Sequence, residues 1–114
     1  MRAVLTSMRT ALAVFVLWPC GAFAADSSAI APELWDRPRT ARSVLEQPAV
    51  RQAMRVYLQR ENVRLVIHYP DGQEALLYAE ELRSWLIALA VDGQSITLRP
   101  DRNRTAPLSI VATP

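Results

Sequence analysis

Few residues in this chain have side chains suited to acid–base or metal chemistry, and the most suggestive group is His68 with Tyr69 and Asp71. His68 is the single histidine and stands where an apolar run meets a turn, a place where catalytic groups often lie. A general base needs a nucleophile or an orienting acid within hydrogen-bond reach, and only Tyr69 and Asp71 are near it in sequence. We therefore expect His68 to be half-buried or hydrogen-bonded, with a role in binding rather than in catalysis.

The other reactive side chains also lack suitable neighbours. With one histidine, a zinc site would need carboxylates alone, which matches the usual zinc ligand sets poorly. Glu80 and Glu81 are adjacent on a predicted helix, so their side chains diverge by about 100° and are expected on its solvated face. The three glycines form no phosphate-binding loop. The sequence predicts no metal, no cofactor and no enzyme activity.

The first 24 residues have the composition of a secretory signal peptide. Arg2 and Arg9 form a basic start, an uncharged apolar core follows, and Ala22-Phe23-Ala24 supplies the small residues that signal peptidase requires. The apolar run is shorter than the roughly 20 residues that span a bilayer, so no membrane span is expected after cleavage. We expect cleavage after Ala24 and a periplasmic or cell-envelope location.

Cys20, the only cysteine, lies inside this leader. Acylation of Cys20 as a lipoprotein anchor is the alternative, but Trp18 and Pro19 stand where a lipoprotein signal carries small residues. Of the 13 basic residues, all arginine, two leave with the leader, so the mature chain keeps 11 basic and 11 acidic residues. Nucleic-acid binding needs a clustered excess of positive charge and is therefore not expected.

Residues 25–42 mix Ala, Ser, Pro and charged residues without a hydrophobic period, which predicts a flexible linker. Trp35 is its largest apolar residue and is expected either to pack against the domain or to contact a partner. Arg37, Arg39 and Arg42 form a small basic patch that is expected to be solvated, and contact with an anionic surface is the alternative. The folded domain is predicted over residues 43–114, enough for one small core.

Hydrophobic periodicity predicts two helices and three strands in that domain. The elements, in chain order, are a helix from residue 43 with Pro48 near its start, a strand over Val63–Tyr69, a helix over Gln73–Val91, and strands over 95–99 and 108–112. Strand–helix–strand order implies a parallel pair. The fold class is α/β (α+β), with both helices on one face of a small mixed sheet. The first strand is expected to be covered on both faces, the last two strands are expected to form a hairpin, and a short strand is expected near Leu34-Trp35.

The second predicted helix is more apolar than one buried stripe requires. Leu76 and Ile87 are the surplus residues, and with Trp35 they are a candidate surface for a partner. The oligomeric state is left open.

Two stretches of the chain follow a known pattern. In "VRLVIHYPDG" an apolar strand ends at His68 and a turn, and in "LRSWLIALAVDGQSITLRP" a helix ends at Ala90-Val91 before another strand. From Val44 to Leu98 the chain resembles the OmpA C-terminal-like, peptidoglycan-associated domain, where Gly-Ile stands in place of Ala90-Val91.

The resemblance implies peptidoglycan binding, which in that family uses an aspartate in the turn and an arginine early in the second helix to pair with charged groups of the ligand. The position of the family's arginine is occupied by Tyr78 in this chain, and Arg83 lies further along the helix. Asp71 lies near the position of the family's aspartate but is out of register with it. A shortened domain without the usual ligand motif is therefore expected. We predict an exported accessory or binding protein that associates with another envelope protein. Peptidoglycan binding through Asp71, Arg83 or Arg64 is the alternative.

Overall fold

The computed structural model describes residues 28–103 and 105–114, so the predicted signal peptide and Cys20 lie outside the described residues. The elements are α1 (Ala41–Leu45), α2 (Pro48–Gln59), β1 (Arg64–Pro70), α3 (Gln73–Ala88), β2 (Ile96–Asp101) and β3 (Ser109–Thr113), with short 3-10 helices over Pro32–Asp36 and Gly93–Ser95. Within these ranges, no helix has the length and apolar character needed to cross a membrane.

Strand β1 is the centre of a three-stranded mixed sheet of order β2-β1-β3. Strand β2 is parallel to β1, with Ile96 opposite Leu65, and β3 is antiparallel to it, with Ile110 opposite Ile67. The predicted mixed sheet is confirmed, but the predicted hairpin is wrong, because β2 and β3 lie on opposite edges. A central position lets the most apolar strand satisfy its backbone hydrogen bonds on both sides.

Helices α2 and α3 pack on the face of the sheet that carries Leu65 and Ile67, both fully buried, as predicted. Helix α2 contributes Val50 to this core, and α3 contributes Leu82. The predicted cover on both faces of β1 is wrong for the described residues. The alternate side chains, such as the buried Val66, point to a face on which none of these helices packs.

The helix predicted from residue 43 is two helices in the structure. The Thr40 hydroxyl accepts a hydrogen bond from the Ser43 N–H, and the Ser43 hydroxyl accepts one from the Thr40 N–H. This capping box begins α1 before Ser43. Pro48 takes the first turn of α2 as predicted, where its missing N–H costs no helical bond.

Helix α3 ends before the predicted Val91. The Ala90 N–H donates to the Ile87 carbonyl at 3.0 Å, and the Val91 N–H donates to the Leu86 carbonyl at 3.0 Å. This is the bonding pattern of a Schellman motif. Ala90 has a φ of 75°, which glycine adopts more readily, so the chain leaves α3 through a mildly strained residue.

Residues 28–40, which we call the N-terminal arm, fold against the domain. The Ile30 N–H donates to the Leu108 carbonyl at 2.7 Å, which extends the sheet beyond β3. Ile30 and Leu34 are 1% and 5% exposed. The predicted flexible linker over 25–42 therefore differs from the structure over 28–42. The strand expected near Leu34-Trp35 is instead the 3-10 helix that Pro32 begins, since proline fixes φ at a helical value.

Leu34→Ala tests whether the N-terminal arm belongs to the core. Removing a fully buried leucine side chain is expected to lower the free energy of unfolding by about 2–5 kcal/mol. Leu58→Ala is the matched control, because Leu58 is 76% exposed and its truncation is expected to change stability by no more than about 0.5 kcal/mol. Urea unfolding of the mature chain measures both, and equal midpoints would show that the arm is a linker.

Candidate functional site

A cleft opens where the pairing between β1 and β3 stops. The last antiparallel pair joins His68 to Ser109, and the next hydrogen-bonded position in this register would join Pro70 to Pro107. Neither proline carries an N–H, so the ladder cannot continue. The two segments part beyond this point and border a cavity of about 480 Å³.

Three parts of the chain form the walls of the cleft. The N-terminal arm supplies the first wall, the start of α3 the second, and residues 105–108 the third. Most of the lining is apolar and includes six residues that are proline, glycine or alanine, namely Pro32, Pro70, Gly72, Ala75, Ala106 and Pro107. The polar lining groups are Asp71, Gln73, Glu74, Thr105 and the hydroxyl of Tyr78. The cleft is therefore an apolar groove with an acidic side.

An aromatic pair joins the arm to α3 at the cleft. The rings of Trp35 and Tyr78 are stacked, with centroids 4.6 Å apart and planes 12° from parallel. The Arg39 guanidinium lies 5.5 Å from the centre of the Trp35 ring, within cation–π range. Aromatic contacts of this kind add specific geometry to the burial of apolar area, so the Trp35 wall is held in a defined position.

Arg39 fixes this wall by hydrogen bonds. Its Nε and Nη2 donate to the two carboxylate oxygens of Glu81 at 2.9 and 2.8 Å, and its Nη1 donates to the Trp35 carbonyl at 3.1 Å. The bond to Glu81 raises the pKa of Arg39. Arg39 and Glu81 were both expected to be solvated, and that expectation is wrong, because each is the other's partner across the interface of the arm and α3. Glu80 is exposed, as predicted.

Tyr78 is a hydrogen-bond donor within the cleft. Its hydroxyl donates to Glu74 Oε1 at 3.1 Å, one helical turn earlier on α3. This hydrogen bond, helped by desolvation and by the charges of Glu74 and Asp36, raises the pKa of Tyr78, while the Arg39 charge acts in the opposite direction. The phenol therefore stays protonated and holds the Glu74 carboxylate against the cleft wall.

The start of α3 lines the same cleft. Gly72 has a φ of 146°, which an L side chain rarely adopts, and no side chain caps the helix there. The first N–H groups of α3, on Gln73, Glu74 and Ala75, therefore have no partner within the helix, and all three residues line the cleft. Asp71 precedes them, and its backbone N–H donates to the Asp101 carbonyl at 3.0 Å, which ties the turn to β2.

The cleft brings together Trp35, Asp71 and Tyr78 from the predicted site residues. The structure places the other two candidate binding residues elsewhere. His68 is half-buried, as expected, on the outer face of the sheet opposite Arg99 and Ser109 in the strand register.

The Arg83 guanidinium lies beside Gly93, at the far end of α3 from Asp71. A single small ligand therefore cannot contact both the Arg83 guanidinium and the Asp71 carboxylate.

Leu76 and Ile87 do not share a surface with Trp35. They are 37% and 42% exposed, but side chains at positions 76 and 78 project about 200° apart around the helix axis. Trp35 stacks on Tyr78, so Leu76 and Ile87 lie on the opposite flank of α3. The partner surface predicted from these three residues is thus split, and Trp35 alone belongs to the cleft.

Sequence reasoning missed Glu74, Pro107 and the bond between Arg39 and Glu81. The spacing of Glu74 and Tyr78, four residues apart on a helix, was a readable signal. The role of Pro107 depends on the register of β3 against β1, and the Arg39 bond joins residues distant in sequence. Neither the role of Pro107 nor the Arg39–Glu81 bond was indicated by the local sequence pattern.

Among residues 28–103 and 105–114, no group of three or more histidine or acidic side chains is placed to hold a metal ion. Comparison of the chain with protein-family models, with curated proteins and with solved structures finds no match. The resemblance to the OmpA-like domain stays a prediction, so the function is inferred from the geometry of the cleft.

Glu74→Ala is expected to lower the pKa of Tyr78, because it removes the acceptor and the negative charge that favour the protonated phenol. Since folding raises this pKa, the bond stabilises the fold below about pH 10 and its contribution is lost as the pH rises through the folded-state pKa. Tyrosine ring-carbon NMR shifts followed against pH resolve each tyrosine. Glu80→Ala is the control, and an unchanged Tyr78 midpoint in Glu74→Ala would contradict the assigned bond.

Proposed function

We propose that the chain is an exported accessory or binding protein of the cell envelope that associates with another protein through the cleft. The observation that carries the proposal is the cleft itself, a cavity of about 480 Å³ with Trp35 and Tyr78 in its walls. Sites that bind other molecules are typically concave, largely apolar and furnished with a few polar groups. This cleft has each of those properties.

The size and lining of the cleft favour an extended segment of a partner as the bound group. A cavity of this volume accommodates a few side chains, whereas a folded domain cannot enter it. Aromatic-lined grooves bind extended peptides, and a groove that is already formed adds no ordering cost of its own to binding. The hydrogen bonds of Arg39 hold the Trp35 wall in place before any partner arrives.

A catalytic role is not part of the proposal. The titratable groups that line the cleft are Asp71, Glu74 and Tyr78, and the described lining contains neither a histidine nor a cysteine that would act as base or nucleophile. His68 faces the outer side of the sheet. The Tyr78 hydroxyl donates a hydrogen bond to the Glu74 carboxylate, an arrangement that supports a structural and binding role.

Peptidoglycan binding remains the alternative function, and the geometry favours it less. Asp71 precedes α3, whereas the Arg83 guanidinium lies beside Gly93, beyond the end of the helix, and the rise from Gly72 to Arg83 is about 16 Å along the helix. A small zwitterion cannot bridge that distance. Cell-wall binding would therefore depend on Asp71 in the cleft, without a cationic partner from Arg83.

Export is proposed from the leader sequence, with its basic Arg2 and Arg9 and the small residues at Ala22 and Ala24. The chain recovered from the periplasmic fraction of producing cells is expected to have the mass of a protein that begins at Ala25. Intact-mass spectrometry measures this. A membrane-bound form that begins at an acylated Cys20 would contradict cleavage after Ala24 and establish a lipid anchor.

Site-specific photo-crosslinking tests the binding function of the cleft. A photoreactive benzoylphenylalanine in place of Gln73, at the cleft, is expected to form a protein adduct in the envelope of producing cells. The same residue in place of Gln59, which is exposed at the end of α2, is expected to form none. Trp35→Ala in the Gln73-labelled chain should abolish the adduct, because it removes one wall.

Adducts of equal yield from both positions, or none from the cleft, would contradict the proposal.

Sedimentation with purified peptidoglycan distinguishes cell-wall binding from protein association. The mature chain is expected to stay in the supernatant, and retention that Asp71→Ala abolishes would favour cell-wall binding over protein association.

A further inference from the structure

We propose that the segment bound in the cleft is basic: an extended stretch of a partner protein that places an arginine or lysine side chain between Asp71 and Glu74 and an apolar residue against the Trp35–Tyr78 wall. This inference rests on the proposed function of the cleft. It names the chemical class of the partner segment, which an apolar groove alone would leave open.

The charges of the lining carry the inference. Asp71 and Glu74 both line the cleft, and none of the described residues that line it is basic. Arg39 lies close by, but two of its nitrogens are bound to the Glu81 carboxylate. Arg102 does not line the cleft; it lines a separate, smaller cavity that Asp71 also borders, together with the acidic Asp101. A cationic side chain is therefore the group that complements this groove.

The apolar walls strengthen that preference. Attraction between a guanidinium and a carboxylate grows as water is excluded, and a segment bound against the aromatic and proline walls would exclude water from one side of the exposed acidic groups. An acidic segment would instead be desolvated beside two carboxylates, which costs free energy without a compensating pair.

The uncapped start of α3 suits the backbone of the same segment. The N–H groups of Gln73 and Ala75 lack helical acceptors, and carbonyl oxygens of an extended peptide can accept from them. Glu74 and Asp71 disfavour a free anion at that helix end. A basic peptide offers both a cation for the carboxylates and neutral carbonyl acceptors for the N–H groups, whereas a small amine offers only the first.

Selection from linear random peptides displayed on phage tests the inference. The mature chain is the target, and the bound peptides are then synthesised and titrated against its Trp85→Phe variant. Trp35 is the remaining tryptophan of that variant, so its fluorescence reports on the cleft. Enriched peptides are expected to contain arginine or lysine. Replacing that residue by glutamine is expected to weaken binding by about tenfold.

Two double variants each remove two negative charges, one pair from the cleft and the other from exposed positions away from it. Asp71→Asn with Glu74→Gln is expected to weaken the same peptides by about tenfold or more, whereas Glu61→Gln with Glu80→Gln, both exposed and away from the cleft, should leave binding unchanged. Raising the salt concentration should weaken binding to the wild-type cleft and have little effect on the Asp71/Glu74 variant.

Several results would overturn the inference. These are enrichment of neutral or acidic peptides, equal binding to both double variants, and self-association of the chain through the cleft in place of peptide binding. If no peptide binds while the Gln73 crosslink to a partner still forms, the basic segment is refuted and the proposed function stands. If neither the peptide complex nor the Gln73 crosslink forms, the basic segment and the proposed function are both refuted.

Discussion

The paired hydrogen bonds between Arg39 and Glu81 determine where the N-terminal arm lies, and the cleft depends on that position. A partly exposed ion pair of this kind adds little free energy by itself. Burial of Leu34 supplies the driving force that holds the arm against the core, while Arg39 sets its orientation. Arg39 also donates a hydrogen bond to the Trp35 carbonyl, which holds the Trp35 ring against Tyr78. The position of this cleft wall therefore depends on the Arg39–Glu81 contact, which lies outside the cleft.

The rest of the cleft arises from hydrogen bonds that cannot form. The register of β1 and β3 would next pair Pro70 with Pro107, and neither proline has an N–H to donate, so the sheet opens at that end. Gly72 begins α3 without a side-chain cap, so the first N–H groups of the helix stay available to a partner. Unsatisfied backbone donors at a solvent-facing cleft are bonded to water and can exchange it for a peptide. The proposed binding surface is therefore a consequence of how the strand pairing ends.

Local patterns predicted the elements well, and long-range pairing was harder to predict. The helical period after Pro48 and the apolar run of β1 depend on neighbouring residues, so two helices and a parallel strand pair were readable. The order of the strands could not be predicted in the same way. The loop between β2 and β3 is long enough for β3 to pair either with β2, as a hairpin, or with the opposite edge of β1. The composition of the arm suggested a linker because the spacing of Ile30 and Leu34 is hidden among Pro, Ser and charged residues. Of the cleft, Trp35, Asp71 and Tyr78 were identified singly, and only the fold unites them.

The central claim is that a docked arm forms one wall of a binding cleft in the mature chain. A nuclear Overhauser spectrum of that chain measures this most directly through the distance between two rings. Cross-peaks between the ring protons of Trp35 and Tyr78 are predicted, because the stacked centroids lie 4.6 Å apart. If these cross-peaks are absent, and the Trp35 signals have the narrow lines and random-coil shifts of a free tether, the cleft does not exist and the account is wrong.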